Sequence, residues 1–129
     1  MDPTSIPTGE LAQRLGIVLT EVTAERTTGT MPVMGNRQPF GLLNGGASLA
    51  FAETLGSIAA NIHAGAGRQA VGIEISGSHH RSATEGVVTG VATALSLGKT
   101  LASYEIVVSD QHGRRICTAR LTCLVRDAH

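Results

Sequence analysis

The chain runs to 129 residues, with ten basic and ten acidic side chains and a formal net charge of zero. That length gives one domain, residues 1–129, with room for a real core. The balanced charge argues against a nucleic-acid footprint or a polybasic membrane patch. No apolar run is long enough to span a bilayer. The start of the chain, with Asp2, lacks the charged and apolar regions of a signal peptide, so the expected location is cytoplasmic.

In chain order, Thr8 to Leu15 predicts a short helix, with Thr8 as cap, Leu11 and Leu15 on one face and Gly16 as stop. Ile17 to Val22 and Arg26 to Met31 read as two short strands around a turn near Ala24 and Glu25, and Pro32 closes the second. Met34 to Arg37 is a loop. After Gly46 comes one long apolar helix, in which Ala47, Leu49, Ala50, Phe51, Leu55, Ile58, Ala59 and Ile62 cover nearly all faces. A helix of that kind is expected to be buried. From Ala70 the period switches to two, with Val71, Ile73 and Ile75 predicted on the buried face of a strand. Val87 to Leu97, Leu101 to Ser109 and Arg114 to Arg126 follow as strands. The last two place Ala102, Tyr104, Ile106 and Val108, then Cys117, Ala119, Leu121, Cys123 and Val125, on single faces, and Asp110 to Gly113 makes the hairpin turn between them.

This order calls for an α+β domain in which an antiparallel sheet wraps one long central helix. Cys117 and Cys123 are six residues apart on one strand, about 20 Å, too far for a disulfide. With no CxxC or His-Cys cluster, no metal site is expected.

One acid interrupts the long helix: Glu53, with Ser57 one turn on and on the same side. A charge among apolar neighbours needs a partner or a task. Gly41, Gly45 and Gly46 precede the helix, and a helix start offers unpaired N–H groups and the positive end of a dipole. Such an end can hold a developing oxyanion, and Glu53, two turns further along, can face the same substrate.

The run Gln38-Pro39-Phe40-Gly41-Leu42-Leu43-Asn44-Gly45-Gly46-Ala47-Ser48, followed by Ala52 to Ser57, resembles the signature of hotdog-fold acyl-CoA thioesterases. The similar branch is the 4-hydroxybenzoyl-CoA/phenylacetate-pathway type that includes bacterial 1,4-dihydroxy-2-naphthoyl-CoA hydrolases. Val71 to Ile75, His79 to Ala83, Glu85-Gly86 and Leu95 to Lys99 resemble it too, in order along nearly the whole chain. The resemblance implies a hotdog fold and hydrolysis of an aromatic or medium acyl-CoA, with no cofactor beyond the CoA of the substrate. It also implies homodimers with a continuous sheet, assembled into homotetramers, with active sites at subunit interfaces.

By that resemblance Glu53 is nucleophile or general base and the Gly45 N–H polarises the carbonyl. Gln38 places the substrate or water, and Ser57 orients Glu53 or the water. Each has a bland alternative: Gln38 bonding its own loop, and Ser57 bonding a carbonyl one turn back. His79, Arg81 and Ser82 match positions near CoA, and Ser96, Gly98 and Lys99 form a second group. Asn44 departs from the pattern, because the branch usually carries His there; Asn donates a hydrogen bond but exchanges no proton near neutral pH. That departure supports an alternative reading as a non-catalytic acyl-CoA-binding or regulatory hotdog domain.

Overall fold

Twenty residues, Gly45–Ala64, form the long helix, α2. It is preceded by a single 3-10 turn at Pro3–Ser5, a short helix α1 (Glu10–Leu15) and strands β1 (Val18–Val22) and β2 (Arg26–Pro32). It is followed by β3 (Arg68–His79), β4 (Val87–Leu97), β5 (Leu101–Ser109) and β6 (Arg115–Asp127). The structure, a computed structural model, describes residues 1–129.

All pairings are antiparallel, in the order β1-β2-β4-β5-β6-β3, and α2 touches every strand. This is the expected α+β hotdog arrangement. The core lies between helix and sheet: Phe51, Leu55 and Ala59 of α2 meet Met31, Val88, Tyr104, Ile106 and Leu121, all but excluded from solvent. Close approach depends on missing side chains. A Cβ on Gly90 would lie 2.5 Å from Leu55 Cδ1, and one on Gly56 2.6 Å from Leu121 Cδ2.

The two C-terminal strands alternate as expected, with every predicted inward residue buried. Asp110 shapes the turn between them: Oδ1 accepts from the His112 and Arg114 N–H groups at 2.9 Å each, and Oδ2 from Arg114 Nε at 2.9 Å. Burial by itself would push the Asp110 carboxyl up, but those donors and the Arg114 charge hold it below the usual range.

Three expectations are corrected. α1 begins at Glu10 behind Gly9, whose φ of 91° suits glycine, and not at Thr8. The long helix is buried only along the stripe facing the sheet, because one curved sheet covers one side; Leu49, Ala50, Ile58 and Ile62 remain half-buried. On β3 the predicted alternation fails. Its register against β6 slips between Gly72 and Glu74, so Ile73 is an extra residue, 57% exposed. A bulge of this kind resets the phase of the strand. Ala70 and Gly72 point to the helix before it, and Ile75, Gly77 and His79 after it, opposite the buried Val125, Cys123, Leu121, Ala119 and Cys117.

Candidate functional site

The start of α2 is built so that one donor stays free. Asn44 caps the helix: its Oδ1 accepts from the Gly46 N–H at 2.7 Å, and its backbone oxygen accepts from Ala47 and Ser48. Asn44 is itself fixed through its N–H, which donates to Asn36 O at 2.9 Å; Asn36 is buried and donates to Leu15 O and Pro32 O. The Gly45 N–H, between these anchored groups, has no acceptor in the chain. The departure at Asn44 therefore has a structural meaning. Its side chain holds the neighbouring N–H and leaves that of Gly45 to a ligand.

Gln38 supplies a second donor by a similar division of labour. Its Oε1 accepts from the N–H groups of Phe40 (2.5 Å) and Leu42 (3.4 Å), while its N–H donates to Leu42 O at 2.7 Å. The loop bonding weighed as the bland alternative is thus real, but it occupies the oxygen end only. The amide nitrogen remains available as a donor. Gln38, Gly45 and Ser48 line one cavity of about 360 Å³ with Leu42, Leu43, Ile116 and the segment His79 to Ala83. The His79 ring packs on Gly45, where a Cβ would lie 2.8 Å from Nε2. His80 is tethered through Nε2 to Thr118 Oγ1 at 2.9 Å, whereas Arg81 and Ser82 are exposed on the cavity rim.

Glu53 is elsewhere. It is half-buried, forms no hydrogen bond or ion pair in the chain, and lines a groove of about 270 Å³ with Thr8, Leu11, Ala50, Thr54, Ser57 and Ile58. Its carboxylate occupies the space above Gly72, where a Cβ would come within 2.5 Å of Oε2. Cys123, the cross-strand neighbour of Gly72, closes the back of this slot. Burial pushes the Cys123 thiol up; the adjacent Ser57 hydroxyl pulls it down, and the Glu53 charge adds to the rise. The thiol is therefore neutral near pH 7. Ser57 does not bond back to a carbonyl one turn earlier; Thr54 does, to Ala50 O at 2.7 Å.

The expectation that Glu53 and Gly45 of one chain face one substrate is corrected. Eight residues of helix raise the acid by about 12 Å and turn it by about 80°, which puts the two groups in separate cavities. The second predicted group is also apart. Ser96, Gly98 and Lys99 lie in or beside the β4–β5 turn, near the C-terminal end of α2, where His63 Nε2 is 2.7 Å from Gly98 O and Arg68 Nη1 donates to Lys99 O at 3.0 Å. Sequence reasoning missed Gly72 and Cys123. Gly72 read as one residue of a regular strand, and nothing local foretold that an acid from α2 would rest on it.

No group of His, Cys, Asp and Glu side chains is arranged to hold a metal ion, and no helix is long and apolar enough to cross a membrane.

The Thioesterase superfamily family model matches residues 40–117. The chain is 48% identical over 118 residues to the proofreading thioesterase EntH of Cronobacter sakazakii, covering 91% of this chain and 86% of that protein. It is 44% identical over 117 residues to the putative esterase VC_A0580 of Vibrio cholerae, covering 90% and 78%. Among solved structures, thioesterase HI1161 from Haemophilus influenzae superposes with a TM-score of 0.88 at 34% identity, covering 92% of this chain and 84% of that one. A glutamine-to-alanine mutant of thioesterase PA1618 from Pseudomonas aeruginosa gives 0.89 at 38% identity, covering 93% and 88%.

Proposed function

This chain belongs to the Thioesterase superfamily and is a thioester hydrolase, and we propose that it cleaves an aromatic or medium acyl-CoA to the free acid and CoA. The observation that carries this reading is the pair of free donors, the Gly45 N–H and the Gln38 amide, in one cavity. In hydrolysis the thioester oxygen gains negative charge as the carbonyl carbon becomes tetrahedral. Two fixed donors at that oxygen stabilise it, each by a factor of ~10²–10³ in rate.

Glu53 supplies the attacking oxygen, directly or by taking a proton from water. Direct attack gives a mixed anhydride and expels the CoA thiolate; water then opens the anhydride and returns the carboxylate. General-base attack delivers hydroxide in one step, and the proton taken by Glu53 goes to the departing sulfur. Ser57, beside Glu53, orients the acid or the water. Leu11, Ala50 and Ile58 give the acyl group an apolar wall. His79, Arg81 and Ser82 receive the CoA, with Arg81 on its phosphates. No cofactor is required.

Because one chain separates its acid from its donors, the working unit is a homodimer with the reaction centre between copies. The exposed apolar residues Leu95 and Leu101 on the outer sheet give pairs of dimers a shared surface in a homotetramer. The test is a panel of aromatic and medium-chain acyl-CoAs read by free-thiol release, with wild type beside Glu53→Ala and Gln38→Ala. Activity that survives loss of Glu53 removes it from its role. A single turnover in ¹⁸O-water then separates the two routes, since label in Glu53 marks the anhydride.

A further inference from the structure

α1 rests on α2, on a side of the long helix that the sheet does not cover; Ala50, Thr54 and Ser57 there are half-buried. The groove that holds Glu53 lies between the two helices. A second groove of about 370 Å³ carries on from it, past Leu15 to Arg37 and Asn44 at the start of α2. Leu11 and Ala50 line both, so the two adjoin as one channel. Gly46, at the far end, is seven residues before Glu53, about 10 Å back along the helix axis.

The lining favours one kind of occupant. Ala47 and Ala50 form the floor, and Leu11, 61% exposed, forms a wall that an apolar ligand would take out of water. No aromatic side chain lines either part, so nothing there stacks on a ring. The Thr54 hydroxyl is spent on Ala50 O and is not free to donate to a ring substituent. A saturated chain needs neither feature.

The far end is polar and tied in place. Asn36 is buried, donates Nδ2 to Leu15 O at 2.7 Å and accepts from the Asn44 N–H at 2.9 Å, which joins the end of α1 to the start of α2. Arg37 holds Thr84 O through Nε at 3.2 Å and Nη2 at 3.0 Å. Its Nη1 and the Asn44 amide nitrogen face this end without an acceptor in the chain, and a methylene satisfies neither. An extended chain advances about 1.2 Å per bond, a third of the span of an extended residue. Some eight bonds therefore cover the distance from Glu53 to Gly46.

We propose that this channel takes the acyl group of the substrate as an extended saturated chain, running from Glu53 under α1 toward Asn44, and that the tied polar end limits it to about eight carbons. The starting point rests on the thioesterase reading, which puts the thioester carbon beside Glu53. Within that reading the substrate class narrows to linear medium-chain acyl groups.

A methylene covered on one side gains roughly half of what full burial gives, about twofold in kcat/KM. On straight-chain acyl-CoAs, kcat/KM should rise about 16-fold from butanoyl to octanoyl, carried by KM, and level off by decanoyl. Ala50→Leu fills the junction, about 4.5 Å along the helix from Glu53. It should bring the octanoyl-to-butanoyl ratio down to about 1, a readout in which any general loss of activity cancels. A profile without chain-length dependence, a benzoyl-CoA value above that of octanoyl-CoA, or a ratio unmoved by Ala50→Leu overturns the proposal. Occupancy is read without turnover in Leu15→Cys, because the native Cys117 and Cys123 are buried. S-octyl-CoA, a thioether with no bond to hydrolyse, should protect position 15 from methyl methanethiosulfonate, whereas S-butyl-CoA should not. Equal protection by the two overturns the channel. If S-octyl-CoA fails and sodium octanoate protects, the channel stands and the CoA reading fails; protection by neither overturns the channel.

Discussion

Gly72→Ala tests whether the slot above β3 positions the acid. The added Cβ would lie 2.5 Å from Glu53 Oε2, while its next neighbour, Leu121 Cδ1, is at an ordinary 3.4 Å. Ordinary separation requires the carboxylate to retreat by about 1 Å. A misplacement of that size costs on the order of 10² in rate, equivalent to about 2.7 kcal/mol of barrier. Stability should move little, because what must yield is the end of a flexible side chain and Gly72 does not need a left-handed φ. Alanine in a strand gains roughly 0.5–1 kcal/mol over glycine, so the melting temperature should hold or rise by a few degrees, about 4 °C at most. The assay is kcat and KM on the best acyl-CoA of the panel, beside a thermal melt and sedimentation to show an unchanged assembly. A variant with wild-type kcat refutes the idea that Gly72 seats Glu53. A variant that loses activity only because it unfolds refutes the energetic argument.

Other perturbations address the remaining parts. Glu53→Gln should lower kcat by ~10²–10⁴ with little change in melting temperature, because the carboxylate has no ion-pair partner to lose; a drop in stability instead would make it a structural acid. Asn44→Ala should destabilise by about 0.5–2 kcal/mol as a lost cap, read by urea denaturation, with Asn44→Ser restoring most of it. Asn44→His, measured for kcat/KM, shows whether a proton-exchanging group adds rate; no change means the position is no handicap. The lowered Asp110 carboxyl stabilises the folded state above its ordinary value of 3.8, and that contribution is lost as pH falls through the folded value. Melting temperatures from pH 6 to pH 2 should therefore fall more steeply in wild type than in Asp110→Asn; parallel curves would contradict this.

Much of the fold was legible because it rests on local patterns. Alternation in Ala102 to Val108 and Cys117 to Val125, and the unbroken apolar run after Gly46, each left one economical way to bury their faces. β3 was misread for the converse reason. A bulge depends on how a strand meets its neighbour, and Val71, Ile73 and Ile75 carry no mark of the slip at Gly72.

By itself the sequence determined which groups are available: one acid in an apolar helix, glycines at that helix's start, an amide just before them, and strands with one apolar face each. Those follow from residue type and period, which act over a few neighbours. Only the tertiary structure decided where they point. It turned Asn44 into a cap, spent the oxygen of Gln38 on its own loop, seated Glu53 on Gly72, and set acid and donors over different stations of one open strand edge. Such assignments depend on the separation of groups distant in sequence, which packing fixes and no local pattern encodes.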